Sequence, residues 1–254
     1  MFTVSAAELD AWLAGFFYPF VRIAALASSA PLFSHRSIPR PTRVALCVLI
    51  AIVVAPTLPP TPFVSPFSAP GVVLIIQQVL IGVAIGFTMQ IVFAAVELAG
   101  ELIGLQMGLS FATFINADSD QTPIVGSFLA VTMMLVFLAI NGHLMLIAGV
   151  ASSFASFPVD GGPGLVFFDV RALVLTGREL FSLGVTMALP VIAAMLLANL
   201  SLGVLTRTAP QLNLFAVGFP VTLATGLAML ALAMPFIVPA MEQALLRGLS
   251  LVLR

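Results

Sequence analysis

Residues able to do chemistry are scarce in this chain of 254 amino acids. Its basic residues are all arginines, and without a lysine the phosphate-cradling GxxxxGK[ST] loop cannot be built, so ATP hydrolysis is not expected. His35 and His143 are the only histidines and are too far apart for the usual ligand spacing of a zinc site. His35, next to Arg36, reads as a loop residue. His143 follows Asn141-Gly142 inside an uncharged helix, where an imidazole serves either a polar contact between helices or the handling of a proton. Cys47 is the single cysteine, so no intrachain disulfide framework exists. The residue types predict no catalytic set, no metal site and no cofactor.

The charged groups that remain stand in apolar surroundings. Arg22 lies midway along the first apolar stretch, and an ionisable side chain at bilayer depth costs about 2.5–3.5 kcal/mol even on insertion scales, so it must face protein or water. Two readings stand: a structural ion pair or carbonyl contact inside a bundle, or a site on a substrate path. Glu97 and Glu101 are four residues apart on one helix face, where like charges repel and require a receiver outside the segment. Gly100, Gly104 and Gly108 form an adjoining stripe of small residues, as do Gly82 and Gly86. Such stripes let helix backbones approach closely, within the chain or between subunits. After Gly108 the sequence Leu109-Ser110-Phe111-Ala112-Thr113-Phe114-Ile115-Asn116-Ala117-Asp118 suits neither lipid nor water alone. It fits a loop held in a protein-lined cavity.

The elements that carry these residues are apolar helices. From Val44 to Val96 there is no Asp, Glu, Lys or Arg, and uncharged runs recur at Thr122–Val159, Leu180–Thr206 and Thr208–Met241. About 20 such residues suffice to cross a bilayer. Charged residues make up 7% and apolar ones 61%, against about 25% and 45–50% in soluble domains. The fold class is therefore all-α and polytopic in a membrane, with about six hydrophobic helices of about 20 residues in one domain spanning 1–254. Helices are expected near 11–33, 44–56, 71–108, 123–150, 172–206 and 211–246, the second of them short for a span. The prolines clustered from Pro56 to Pro70 mark a turn, as do Pro39 with Pro41, residues 118–123 and residues 160–164. Pro190, Pro210, Pro220, Pro235 and Pro239 should bend the last two helices and free backbone carbonyls.

Charge says little about orientation. With six alternating spans, Arg36, Arg40, Arg43 and Arg207 fall on one side and Arg171, Arg178, Arg247 and Arg254 on the other, a tie under the positive-inside rule. Net charge is −1, which leaves no basic surface for nucleic acid. Glu8 and Asp10 stand where a cleaved signal peptide would be basic, so the first apolar segment is expected to stay. The expected partners are other apolar helices.

Four stretches carry a family resemblance: Pro41-Thr42-Arg43-Val44; Ala99-Gly100-Glu101-Leu102-Ile103-Gly104-Leu105-Gln106-Met107-Gly108-Leu109-Ser110; Asn141-Gly142-His143-Leu144; and Ala209-Pro210-Gln211-Leu212-Asn213-Leu214-Phe215-Ala216-Val217-Gly218-Phe219-Pro220. In this order, over nearly the whole chain, they resemble the FliR family of flagellar export gate proteins. The resemblance implies a multi-pass protein of the bacterial inner membrane and flagellar basal body. One copy would assemble helically with FliP and FliQ homologues and contact an FlhB homologue. Its N-terminal part would be FliP-like and its C-terminal part FliQ-like, and unfolded flagellar subunits would be the cargo. It further implies a passive gate, not an enzyme, driven through other components. The family's pore plug corresponds to Met107, Gly108, Leu109, Ser110, Phe111, Ala112, Thr113 and Phe114. Gly100, Gly104 and Gly108 would then be a packing stripe, with Arg22, Glu97 and Glu101 as polar interface candidates. The family pattern often has Asp-Pro soon after the plug, whereas this chain reads Asn116-Ala117-Asp118-Ser119-Asp120, so the loop's end is left open. Two alternatives are the homologous gate of virulence injectisomes and a small-solute secondary transporter that uses broken helices and Arg22 as its site.

Overall fold

In the computed structural model, residues 6–35, 37–58, 64–109, 123–159, 170–208 and 214–252 are described. Every regular element among them is helical: α1 (Ala6–Ser29), α2 (Pro31–Ser34), α3 (Arg40–Val54), α4 (Ala69–Gln106), α5 (Ile124–Ala139), α6 (Gly142–Ser156), α7 (Val170–Thr208) and α8 (Leu214–Val252). Four helical stretches are long and apolar enough to cross a membrane, Arg40–Thr57, Ala69–Gln106, Phe181–Thr208 and Val217–Leu251; α5 with α6 adds a fifth if the bent pair counts as one span. The chain is an all-α polytopic membrane protein.

Local chemistry explains where the helices start and stop. The single helix expected over 11–33 is divided because Pro31 has no N–H to continue α1. Ala30 turns extended, with φ −73° and ψ 133°, and Pro31 opens α2. Helix α3 begins four residues before the expected 44, with Pro41 in its first turn, where a missing N–H costs nothing. The Ser68 hydroxyl caps α4, accepting the Gly71 N–H at 3.1 Å.

The expected continuous helix over 123–150 is two helices meeting at 67°. Asn141 sits between them with φ 57° and ψ 30°, a left-handed conformation that asparagine tolerates better than most residues. His143 thus belongs to the first turn of α6, not to a helix interior. By contrast α7 continues through Pro190, and α8 through Pro220, Pro235 and Pro239.

The chain forms two compact units, each discontinuous in sequence. One comprises Met1–Ile91, Asn141–Val174 and Leu245–Arg254. Its buried residues include Tyr18, Ile23, Leu26, Leu74, Leu146 and Val150. Here α4 crosses α1 at Gly82 and Gly86, positions where a β-carbon would strike the Arg22 carbonyl oxygen and the Ser29 hydroxyl. The other unit comprises Val92–Ile140 and Leu175–Ala244. Val96, Ile103, Leu129, Met133, Met195 and Met241 are buried in it, and Phe93 meets Phe137 edge-on at 6.0 Å. Gly184 lets α7 approach α4 so closely that a β-carbon would collide with the Ala95 carbonyl oxygen.

Candidate functional site

The segment singled out by its mixed composition leaves α4 through a complete C-terminal cap. Gly108 is left-handed, with φ 79°. Its N–H reaches back to the Leu105 carbonyl, and the Leu109 N–H to the Gly104 carbonyl, each at 3.1 Å. This is the Schellman pairing, which satisfies carbonyls that a helix end would otherwise leave open and needs glycine at the left-handed position. Met107, just before the glycine, is fully buried, while Gly108 and Leu109 are half-buried. Ser110, Phe111, Ala112, Thr113 and Phe114 lie outside the described residues.

The glycine stripe divides into three different jobs. At Gly100 the facing element is α5 of the same chain: a β-carbon would lie 2.7 Å from the Gly126 amide nitrogen and 2.9 Å from the Val125 carbonyl carbon. At Gly104 it would meet only the Val125 side chain, at 3.7–3.8 Å, an ordinary contact. Gly108 is the cap. Glu97 and Glu101 are exposed on the neighbouring face of α4, and neither is paired with a cation among the described residues. Their receiver is therefore not found there.

Arg22, expected as a polar interface candidate, is enclosed by its own chain. It is fully buried. Its Nε donates to Gln78 Oε1 at 2.7 Å, one terminal nitrogen to the Ser153 hydroxyl at 2.9 Å, and the other to the Phe157 carbonyl at 2.8 Å. The Phe154 ring lies under the guanidinium, 3.7 Å from its carbon to the ring centre. Three directional bonds and a ring face suit the flat, forked arginine head and no other cation. The carbonyl contact expected inside a bundle is present. The ion pair is not, because every partner is neutral.

The histidines behave differently from each other. His35 lies in an exposed turn, accepting the Ser37 N–H at Nδ1 and an Arg43 N–H at its carbonyl. In His143 the Nδ1 atom is buried without a hydrogen-bond partner, so the expected interhelical contact is not made there. Among the described residues, no cluster of three or more His, Cys, Asp or Glu could hold a metal ion.

Comparison with known proteins follows the same path as these residues. The pattern of bacterial export proteins, family 1, matches residues 13–248. Flagellar biosynthetic protein FliR of Pectobacterium carotovorum subsp. carotovorum is 45% identical over 243 residues, covering 95% of this chain and 92% of that protein. The protein of the same name from Escherichia coli K12 is 43% identical with the same coverage. That of Buchnera aphidicola subsp. Acyrthosiphon pisum is 38% identical over 249 residues, covering 96% and 95%.

The chain belongs to the FliR family of bacterial export proteins.

FliR-family membership makes it a membrane component of export and flagellar biosynthesis, in a family of transport parts and not of enzymes. In this FliR-family chain, the groove between α7 and α8, about 420 Å³, is lined by Leu183, Met187, Pro190, Met229, Phe236 and other apolar residues. Its one hydroxyl, on Thr186, is already bonded to the Ser182 carbonyl. Such a lining offers a polar solute little to bind. Several residues that build these contacts escape sequence reasoning. Gln78 had a signal, being half of a Gln77-Gln78 pair inside an uncharged run, and both amides are buried. Ser153 and Phe157 had none, because they meet Arg22 only through the fold.

Proposed function

We propose that this chain is a non-catalytic component of the flagellar type III protein export gate in the bacterial inner membrane, at the base of the flagellum. A single copy assembles with FliP and FliQ homologues and contacts an FlhB homologue. Its N-terminal part is FliP-like and its C-terminal part FliQ-like. The gate passes unfolded flagellar subunits, with energy supplied through other components. The observation that carries this reading is the 45% identity, over 95% of the chain, to a protein named for flagellar biosynthesis. Relatives bearing that name from several other bacteria favour a flagellar gate over an injectisome.

Within the gate, the segment from Met107 to Phe114 obstructs the pore at rest and is displaced by cargo. Glu97 and Glu101, exposed on α4 and without a cation partner among the described residues, face a neighbouring subunit that supplies their counter-charges. The cap at Gly108 supports the loop assignment, because it ends the helix immediately before the mixed segment.

Two measurements test the reading. Affinity purification of the tagged chain should bring down both gate partners in unequal copy number, and recovery of the chain as a lone homo-oligomer would overturn it. Deleting residues 108–114 in the assembled gate should make the membrane leak ions or small solutes. Unchanged permeability, with the assembly intact, would remove the plug assignment.

A further inference from the structure

The end of α4 is gripped from the side by a hole in α8. Gly226 is buried in α8, and a β-carbon placed on it would run into Cγ of Met107 and lie 2.9 Å from both its Sδ and Cε. The thioether thus fills the space that any other residue at 226 would claim. Methionine has three rotatable bonds and adapts its shape to an irregular cavity, as it does here against Gly226. Glycine is a poor choice within a helix unless something needs the room. Met107 is also the last residue before left-handed Gly108, so whatever holds its side chain also holds the point from which the following segment departs.

We propose that Met107 seated on Gly226 is a positioning contact of the gate: the size of residue 226 sets how firmly the root of the plug is held, and hence how tightly the closed gate seals. This inference rests on the plug assignment above. It assigns to α8, far away in sequence, a role in closure that neither the plug nor the glycine stripe carries.

The test uses the complete gate in living cells, reading resting leak with a membrane-potential dye and assembly by co-purification. Gly226→Leu should displace Met107 and raise the leak several-fold while the partners are still recovered in normal amount. Adding Met107→Ala to Gly226→Leu gives the larger side chain at 226 the volume that the thioether occupied, restores the contact with the sizes exchanged, and should return the leak toward the parent level. If Gly226→Leu does not accumulate, Gly226→Ala takes its place, since it requires only the flexible methionine to move. A fully assembled variant at 226 with the parent's leak would overturn the proposal, and so would a leak that Met107→Ala fails to relieve. The 108–114 deletion separates the two levels. If the deletion leaks but the 226 variants stay tight, the socket is wrong and the plug stands; if the deletion is also tight, the plug assignment itself falls.

Discussion

Arg22 is a buried cation held by neutral groups, which makes it a structural fastener between α1, α4 and α6. Removing the guanidinium would leave the Gln78 amide without any partner and the Phe157 carbonyl without its donor. Stranding a buried polar group costs about 1–3 kcal/mol, more when the lost partner was charged. Arg22→Met, close in volume, should therefore lower stability by about 3 kcal/mol, read as a fall in thermal midpoint and in accumulation of the detergent-extracted protein. Arg22→Lys should restore little, since an ammonium carries its three donors on one atom and cannot span partners met by three separate guanidinium nitrogens, nor lay a plane on the ring. Pairing Arg22→Met with Gln78→Leu should recover part of the loss, because replacing both partners by apolar groups removes the stranded amide. A variant that melts like the parent yet fails in export would reverse the argument and make Arg22 part of the substrate path. The arginine's need for protein contact was legible from its apolar neighbourhood. The neutrality of its partners was not, because Ser153 and Phe157 are more than a hundred residues away along the chain.

At the scale of elements, glycines on one stripe should respond in opposite ways. Gly100 faces the backbone of α5 at Gly126, and backbone cannot swing aside. Gly100→Ala should therefore cost about 1–3 kcal/mol through overpacking. Gly104 faces the Val125 side chain at ordinary distance, so Gly104→Ala should be neutral or should gain up to about 1 kcal/mol from better helix propensity. Thermal unfolding of the two single variants checks this, and equal effects would show that spacing alone decides. Spacing predicted the stripe but not which members touch backbone, which depends on where the partner helix crosses. Similarly, hydropathy placed most of the helices to within a few residues yet ran straight through the break at Asn141, because Asn-Gly carries no charge and interrupts no apolar run. The turn signal was written there, but the long uncharged stretch outweighed it. Pro31 was hidden in the same way at the end of α1.

At the scale of the molecule, the apolar surface of the last two helices matches a bilayer and is bounded by charge. Exposed large apolar residues run without an intervening charge from Phe181 to Leu205 on α7 and from Val217 to Phe236 on α8, with exposed Arg178 and Arg207 flanking the first and exposed Glu242 and Arg247 following the second. At 1.5 Å per residue these stretches measure about 36 Å and about 29 Å along the helices. The hydrocarbon core is about 30 Å thick, and a tilt of about 30–35° lets the longer stretch fit it. Length alone therefore leaves both stretches open to lipid, and an assembly with FliP and FliQ homologues would show itself as protection of particular positions within them. A carbene-generating acyl-chain lipid should label α7 and α8 only between these charges. Expressed without its partners, the chain should take up label at positions that assembly protects, Leu232 and Phe236 being among the most exposed. Labelling at Leu246 or Leu251, beyond Glu242, would mean that lipid follows α8 past its charged residues, and equal labelling with and without the partners would remove the requirement for protein on this surface.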